Sequence, residues 1–390
     1  MKHRILSAII FVFCILPQTA FSKDLSTKSF LDAVTGRRIH AVGLAGTNTA
    51  HLYPTSLTWD AASTKLIVNA NIQLDKWGWY CDFVEFDTVS EKTTYIDSYR
   101  SYYGAVSRDN KFYYIKKDKV YYCDLKTYQK ELVCAHPNGF DFYGVPTISN
   151  DNTVMAVYWK NKNDNLRNIG KIDLKTGKLS VLVSSADFKD VFSPPYPDLN
   201  HPLVNPVYKN LIFFCLDGPF GVNRMWIYDE NLDKIKSHYE PKQLGGKVGE
   251  YLYHENWAAD GEKIYVIKSH RSPVKPAGIM WVDKWDSTKY GIVNSDYQYH
   301  YASPSSDGKW LIACTRYIKG LVDKQSDIVL VDLMTKKTML LARVDTVSDG
   351  HVHPSFSLDN KKVTFTFIDS DKKMWVGYID ITQKPDLIKK

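Results

Sequence analysis

Short apolar stretches alternate with polar turns along the chain, in a pattern typical of antiparallel strands. One phrase recurs: a mostly apolar run of four residues, an Asp, a turn containing Thr or Ser and Lys, and a second apolar run. Its four clear copies begin at Phe83 (FVEFDTVSEKTTYI), Val120 (VYYCDLKTYQKELV), Ile169 (IGKIDLKTGKLSVL) and Ile328 (IVLVDLMTKKTMLL). Turn-forming residues between two β-rich runs predict a hairpin in each copy.

A second phrase, a polar turn followed by Lys and a β-rich run, divides the chain into units. It occurs at Asp60, Asp109, Asp151, Lys209, Asp260, Asp307 and Asp359. The spacing of roughly 40 to 60 residues matches one four-stranded propeller blade. We therefore predict an all-β fold, a seven-bladed β-propeller of four-stranded antiparallel blades, with a sandwich or solenoid as the alternative. Residues 37–44 would add a strand to the last blade and close the ring.

The N-terminus has a different composition from the rest of the chain. Lys2 and Arg4 precede an apolar run over residues 5–16 and a small-x-small pattern that ends at Ser22. We interpret residues 1–22 as an export signal, and expect residues 23–390 to form one domain that is periplasmic or secreted. An uncleaved anchor is the alternative, although the run is shorter than the roughly 20 residues that cross a bilayer. No membrane span is expected after cleavage.

Composition narrows the class of function. The chain has 390 residues, 44% of them hydrophobic, and its 26 Tyr, 17 Phe and 10 Trp favour strands over helices. A formal net charge of +7 suits a polyanionic substrate but also an ordinary solvated surface. Basic residues form no stripe, so nucleic-acid binding has little support. The absence of a Gly-rich phosphate loop and of a G-x-S-x-G turn argues against nucleotide chemistry and serine hydrolysis.

The cysteines beyond the signal lack the C-x-x-C spacing of a zinc ribbon. Most are expected to be buried thiols on strands. Cys123 and Cys134 flank one predicted hairpin turn almost symmetrically. A disulfide between them is an option in an exported protein, but spacing alone does not prove it.

Histidines fall at one phase of the repeat, shortly before the polar turn. Those in this position are His51, His201, His254, His300, His351 and His353, six of the eleven in the chain. The corresponding stretches of the second and third units offer Tyr102, Tyr103 and Tyr143. Equivalent positions of successive blades lie side by side around the central channel. The sequence therefore predicts a polar and aromatic site at one mouth of the channel.

Three of these histidines have the arrangement of metal ligands. His351 and His353 are two residues apart, so their side chains emerge on the same face of a strand, and His300 comes from the preceding blade. Neutral imidazole is the commonest protein ligand of divalent transition metals. We predict a mononuclear metal site, and a hydrogen-bonded histidine cluster is the alternative.

Two further residues complete the candidate site. His254 lies in the HENW stretch of the neighbouring blade, and Arg224 lies in NRMW just before a predicted strand. A histidine with an ordinary pKa near 6.5 can act as a base, and an arginine can bind a carboxylate through two hydrogen bonds. A structural interpretation fits equally well: His254 caps a strand, and Arg224 pairs with a surface acid.

Segments spread along the chain resemble the oligogalacturonate lyases, seven-bladed propeller enzymes that cleave short pectin-derived uronates by β-elimination. The segments are FLDAVTGRRIHAVGL from Phe30, HPLVNPVYKNLIFFCLDGPFGVNRMW from His201, HENWAADGEKIYV from His254 and HVHPSFSLDNKKVTFT from His351. The stretches HxHPSF and GP-to-RMW are the specific parts, because generic propellers share only the Asp turns. The resemblance is weakest over residues 102–149.

The resemblance implies roles for matching positions. His300, His351 and His353 would bind Mn²⁺ or another divalent metal, His254 would be the general base, and Arg224 would bind the substrate carboxylate. His51, His201 and Tyr143 would line the cleft for an acidic oligosaccharide.

The chain departs from the family at one metal ligand, a glutamine in the family where this chain has Ser348. Water, Gln298 or Asp349 would then complete the metal shell, or the activity has diverged. Two alternatives stay open: a lyase for another uronate glycan, and a non-catalytic envelope propeller that binds glycan or protein.

Overall fold

The predicted hairpins are present as strands that pair mainly with their neighbours in the chain. The structure is a computed structural model that describes residues 24–75, 78–99, 104–193, 196–217, 223–316, 324–346 and 352–383. The export signal predicted for residues 1–22 therefore lies outside the described residues. Antiparallel sheets arranged in a ring form a seven-bladed propeller, which confirms the predicted fold.

Each of the first three blades is a four-stranded meander. The first contains β3 (Asn48–His51), β4 (Lys65–Asp75), β5 (Gly78–Asp87) and β6 (Thr93–Tyr99). The second contains β7 (Gly104–Val106), β8 (Lys111–Lys116), β9 (Lys119–Asp124) and β10 (Lys130–Ala135). The third contains β11 (Phe142–Ile148), β12 (Val154–Lys160), β13 (Arg167–Asp173) and β14 (Leu179–Ser184), and a short 3-10 helix, η1 (Ser185–Phe188), follows it.

The next three blades repeat this order. The fourth contains β15 (Asp198–Val204), β16 (Leu211–Asp217), β17 (Met225–Asp229) and β18 (Lys234–Tyr239). A separate hairpin of β19 (Gln243–Leu244) and β20 (Lys247–Val248) follows. The fifth blade contains β21 (Leu252–Trp257), β22 (Lys263–Lys268), β23 (Gly278–Asp283) and β24 (Tyr290–Asn294). The sixth contains β25 (Tyr299–Pro304), β26 (Trp310–Thr315), β27 (Gln325–Asp332) and β28 (Thr338–Asp345).

The last blade joins the two ends of the chain. It contains β29 (Ser355–Phe356), β30 (Lys362–Ile368) and β31 (Met374–Asp380), followed in space by β2 (Arg38–Gly43) and β1 (Ser26–Leu31). In the β2–β31 pair, Val42 lies opposite Val376. The predicted closure by residues 37–44 is confirmed, and β1 makes this blade five-stranded rather than four-stranded.

Aspartates explain why the repeat phrase has its fixed spacing. In the turn after β9, Oδ1 of Asp124 accepts hydrogen bonds from the backbone N–H groups of Lys126 and Thr127, at 2.8 and 2.9 Å. Asp173 and Asp332 make the same bond to the N–H three residues on, at 2.8 Å in each case. An Asp side chain that binds the backbone in this way fixes a tight turn. The recurring Asp is therefore a turn residue and has no part in the site.

The apolar core lies between blades rather than in one central cluster. Fully buried Phe213 and Ile264 pack between the fourth and fifth blades, and Ile312 and Phe365 pack between the sixth and the last. Strands with both faces covered in this way read as near-continuous apolar runs, which accounts for runs such as those of β16 and β26. Among the described residues, no helix is long and apolar enough to cross a membrane.

The two cysteines considered for a disulfide pack on opposite faces of the second blade. Cys123 belongs to the cluster shared with the first blade, and Cys134 belongs to the cluster shared with the third. Both are buried free thiols. Facing strands place Cys123 opposite Lys130 and Cys134 opposite Val120. The disulfide option is therefore not realised, because the hairpin that separates the two residues turns their side chains apart.

Candidate metal and uronate site

The first strands of the fourth, fifth and sixth blades are irregular where their histidines lie. Pairing shifts register around His201 in β15, His254 in β21 and His300 in β25. The backbone of His201, His254 and His353 also has positive φ, at 48°, 59° and 40°. Such a conformation is uncommon outside glycine, and a β-bulge redirects the side chain that it carries. Local backbone geometry therefore turns these imidazoles toward each other at one end of the channel.

Three imidazoles meet at this end, and we call them the trihistidine cluster: His254, His300 and His353. One nitrogen from each lies within 4.8 Å of the others. The ring centroids are 4.7 Å apart for His254 and His300, 5.2 Å for His254 and His353, and 5.8 Å for His300 and His353. These three histidines, which lie shortly before the polar turns of their units in the sequence, thus converge from the fifth, sixth and last blades.

Backbone carbonyls set the tautomers of two imidazoles. Nδ1 of His254 contacts the carbonyl oxygen of His300, so this nitrogen carries the proton and donates it. Nε2 of His254 is then unprotonated and can bind a metal or accept a proton. Nε2 of His51 donates to the carbonyl oxygen of His353 at 2.7 Å, and its Nδ1 accepts from the Thr366 hydroxyl at 2.7 Å. His51 therefore holds the backbone of the cluster.

Burial keeps these imidazoles uncharged. It lowers the pKa of His254 to about 4 and that of His51 to about 4. Burial also lowers the pKa of His201, with a further contribution from the Arg224 charge. Neutral imidazole is the form that binds transition metals. The donor set, the convergence of the nitrogens and the neutral state of His254 all fit a divalent cation.

Arg224 lies beside the cluster and is held by two carboxylates. Its Nε donates to Oε1 of Glu255 at 2.6 Å, and a second guanidinium nitrogen donates to the other Glu255 oxygen at 3.2 Å. The third guanidinium nitrogen contacts Asp217. Glu255 is 2% exposed and Asp217 is 39% exposed. Pairing of Arg224 with a surface acid describes only its contact with Asp217. Its main partner, Glu255, is a buried acid.

The charge state of Glu255 follows from this pairing. Burial opposes ionisation of Glu255, but the Arg224 guanidinium outweighs it and lowers the carboxyl pKa below its ordinary value. The thiol of Cys215 lies 3.2 Å from the second carboxylate oxygen of Glu255. Among the described residues, acids engage three of the five guanidinium N–H groups of Arg224, which leaves two for another anion.

The remaining predicted residues occupy different places. His201 lies near the cluster, with its ring 5.9 Å from that of Tyr53, and its buried Nδ1 has no hydrogen-bond partner among the described residues. The Tyr143 hydroxyl contacts the Arg167 guanidinium, and its ring packs 4.4 Å from that of Tyr158. Within the described part of the chain, these contacts of Tyr143 do not reach the trihistidine cluster.

Known lyases are similar to this chain in sequence. No model of a known protein family matches the chain. The oligogalacturonide lyase of Pectobacterium atrosepticum is 25% identical over 305 residues, which cover 66% of this chain and 71% of that protein. The oligogalacturonate lyase of Dickeya dadantii is 23% identical over 297 residues, with 66% and 71% coverage. The chain is similar in sequence to oligogalacturonate lyases over about two thirds of its length.

A solved structure extends the likeness to the fold. An oligogalacturonate lyase in complex with manganese superposes with a TM-score of 0.75 at 19% identity, over 91% of this chain and 96% of that one. At this identity the likeness establishes the shared propeller fold. The resemblance to oligogalacturonate lyases predicted from the sequence is confirmed.

Several predicted positions fall outside the described residues. They are His351, the proposed metal ligand, together with Ser348, Asp349, Tyr102 and Tyr103. Gln298, considered as a replacement metal ligand, lies within the described residues. Its backbone carbonyl accepts a hydrogen bond from the Arg316 N–H at 3.0 Å.

Two residues of the site were missed by the sequence analysis. Tyr53 follows β3 into the channel, and its ring lies 5.3 Å from that of His353 and 6.3 Å from that of Tyr301. Glu255 anchors Arg224. The position of Glu255 directly after His254 was a usable signal for a role in the site, because one β-bulge can direct two neighbouring side chains. Nothing in the sequence distinguishes Tyr53 from the other tyrosines.

Proposed function

We propose that the protein is a lyase that cleaves short galacturonate oligosaccharides by β-elimination, with a divalent cation, Mn²⁺, bound beside His254 by His300 and His353. The observation that carries this proposal is the convergence of His254, His300 and His353 beside a buried arginine. Similarity to oligogalacturonide lyase over 66% of the chain supports the substrate class.

The residues divide into metal ligands and a base. We infer that His300 and His353 hold the cation together with His351, which the sequence resemblance adds to the set. His254 is the base, since its Nδ1 proton is committed to the His300 carbonyl and its Nε2 is unprotonated at neutral pH. This division keeps one imidazole free to accept a proton.

Charge neutralisation is the main requirement of the reaction. The proton at C5 of a uronate becomes acidic only if the negative charge that develops on its carboxylate is stabilised. A bound divalent cation supplies Lewis-acid stabilisation of that carboxylate. Arg224 donates its two remaining N–H groups to the same carboxylate, and Glu255 fixes the direction of the guanidinium.

Proton removal and bond cleavage complete the elimination. Nε2 of His254 takes the C5 proton, the electron pair forms the C4–C5 double bond, and the C4–O bond breaks with its electrons leaving on oxygen, which takes a proton from water. The products are an unsaturated uronate and a shortened oligosaccharide. His51 keeps the His353 backbone in place during these steps through its 2.7 Å hydrogen bond.

The test is a direct assay for the new double bond. Purified protein with Mn²⁺ is incubated with digalacturonate and trigalacturonate, and ultraviolet absorbance is followed. We expect a rise that is lost in His254→Ala and kept in His40→Asn, a control on β2 in the last blade. No rise with galacturonate, glucuronan or ulvan fragments would refute a lyase, and binding without turnover would favour a glycan-binding propeller. Turnover of glucuronan or ulvan alone would move the proposal to another uronate glycan.

We also propose that the protein acts outside the cytoplasm after cleavage following Ser22. The basic start, the apolar run and the small-x-small pattern support this location. Fractionation of expressing cells and the intact mass of the recovered protein test it. Recovery in the cytoplasm with residues 1–22 still attached would contradict the proposal.

A further inference from the structure

A cavity is lined by the ends of the blades' first strands, which follow the histidines in the sequence. It has a volume of about 150 Å³ and is formed where the first strands of the blades reach their polar turns. Residues that line it include Thr55, Arg108, Asn256 and Ser355. The lining is rich in hydroxyl and amide groups.

Arg108 lacks an acidic partner in this cavity. Its Nε donates to the Asn150 side-chain oxygen at 3.0 Å, and its backbone N–H donates to the Asn152 side-chain oxygen at 2.9 Å. Among the described residues, no carboxylate forms an ion pair with it. An arginine remains protonated in proteins, so the cavity contains an uncompensated positive charge. Burial lowers the pKa of Arg108, which reflects the cost of withdrawing that charge from water.

Two hydroxyls of the cavity also lack partners. Oγ of Ser355 and Oγ1 of Thr55 are buried without a hydrogen bond to any described residue, and Ser355 is 6% exposed. Two other serines that line the cavity do have partners: Ser149 and Ser357 each donate a hydrogen bond to an Asp two residues later in the chain, at 2.6 Å. Buried polar groups are nearly always paired, so the two free hydroxyls call for a partner inside the cavity.

The channel segment, residues 52–57, separates this cavity from the trihistidine cluster. Tyr53 packs against His353 on one side of the segment, and Thr55 lines the cavity on the other. The Ser56 hydroxyl donates to the Pro146 carbonyl at 2.6 Å, and the Leu57 carbonyl accepts from the Val106 N–H at 3.0 Å, which anchors the segment. A ligand in the cavity would therefore not overlap the proposed catalytic site.

We propose that this cavity is a second ligand site that binds a small oxyanion, a carboxylate or a phosphate. Arg108 supplies the charge, and Ser355 and Thr55 donate hydrogen bonds to the anion oxygens. Oxyanions match the planar donors of a guanidinium, and the volume suits a ligand of a few heavy atoms. The site is independent of the lyase proposal, because none of its residues belongs to the trihistidine cluster.

Calorimetric titration of the full-length protein with inorganic phosphate and, separately, with sodium acetate tests the site and tells the two anion classes apart. An Arg224→Gln background removes binding at the histidine end. We expect saturable binding of at least one anion at one equivalent. Its affinity should fall at least tenfold in Arg108→Gln and less in Ser355→Ala. Arg38→Gln, on the exposed side of β2, is the matched control and should bind normally.

Two outcomes would overturn the proposal: no saturable binding of either anion, or equal binding by the parent and Arg108→Gln. Should Arg108→Gln fail to fold, Ser355→Ala and Arg108→Lys decide, because both retain the positive charge and remove only hydrogen bonds. Undiminished affinity in both of these variants would likewise refute the site. Measuring binding without turnover keeps the result separate from the lyase assay.

Discussion

Nε of Arg224 lies 2.6 Å from Oε1 of Glu255, and Glu255 follows His254 directly in the chain. His254 and Glu255 belong to the irregular stretch of β21, between Tyr253 and Asn256. His254 points into the trihistidine cluster, while the side chain of Glu255 is buried against Arg224. One local distortion thus positions the proposed base and fixes the proposed carboxylate-binding arginine.

We expect Glu255→Gln to weaken substrate binding and catalysis together. Replacing a buried carboxylate leaves the Arg224 charge partly uncompensated, which costs about 3 kcal/mol of stability when a buried pair is broken. Misdirection of the guanidinium should lower kcat/KM by about 100-fold, which corresponds to roughly 3 kcal/mol of transition-state stabilisation. Urea unfolding and steady-state kinetics measure the two effects.

Asp217→Asn provides the comparison, because Asp217 binds the same guanidinium but is 39% exposed. Exposed ion pairs contribute about 0 to 1 kcal/mol, so the stability of Asp217→Asn should stay close to that of the parent. Partial recovery of kcat/KM in Glu255→Asp would show that position, and not burial alone, matters. Equal losses in Glu255→Gln and Asp217→Asn would contradict the anchoring role of Glu255.

Metal content should separate the roles of the three clustered histidines. His300→Ala and His353→Ala are expected to lose the bound Mn²⁺, since each removes a proposed ligand. His254→Ala should retain nearly one equivalent and lose turnover. Elemental analysis after dialysis, with His40→Asn as the control, provides the measurement. Loss of metal in His254→Ala would make this residue a ligand, and the base would have to be sought elsewhere.

The sequence predicted the fold well because the relevant physics is local. Each Asp turn and each apolar run is decided within about ten residues, and the repeat multiplies the signal. The phase of His254, His300 and His353 then placed them at the channel mouth. Ring closure was also predictable, because an unpaired strand before the first unit has few other places to pair.

Other features of the site depend on geometry that spacing does not encode. The positive φ of His201 and His254 occurs where pairing with the next strand shifts register, so their side-chain directions could not be read from alternation. Pairing of Arg224 with Glu255 joins two blades across an interior boundary. The position of Tyr53 depends on the path of a loop through the channel. Such contacts are tertiary, and the spacing of residues along the chain does not encode them.

Acid should destabilise the protein, and His238 offers a clean test away from the cluster. Burial lowers the pKa of His238 to about 3, with Lys236 adding to the effect and Asp283 opposing it. Its ring packs near Phe213 and Trp257. Because the folded-state pKa is depressed, its stabilising contribution is complete above the unfolded pKa near 6.5. It is lost as pH falls from there toward 3.

His238→Phe should therefore reduce the stability lost between pH 7 and pH 5 by about 2 kcal/mol, since only the unfolded parent binds the extra proton in that range. Urea unfolding at several pH values measures the difference. Between pH 7.5 and 8.5 the two proteins should show the same slope, because His238 is neutral in both states. Identical slopes below pH 6 would show that His238 is not buried as described.

Thiol chemistry should show that no disulfide stabilises the fold. Cys123 and Cys134 are buried on opposite faces of the second blade, and burial raises the pKa of the Cys123 thiol to about 11. A protonated and enclosed thiol reacts slowly. Ellman's reagent should label these residues only after unfolding, and a reducing agent should leave Tm unchanged. A lower Tm under reducing conditions would indicate a bond that the described geometry does not contain.

Closure of the ring by β2 should be essential, whereas β1 should be dispensable. Ile39 and Val42 of β2 are fully buried, and burying one such side chain is worth about 1.5 to 3 kcal/mol. Five of the six residues of β1 are exposed. Deletion of residues 24–31 should therefore lower Tm by only a few degrees. Deletion of residues 24–44 should abolish cooperative unfolding, because it also leaves the edge of β31 unpaired. A synthetic peptide of residues 32–44 should restore part of that stability by adding a strand to β31, as other sheet edges accept peptides. Equal Tm values for the two deletions would mean that the ring is held without its N-terminal strand.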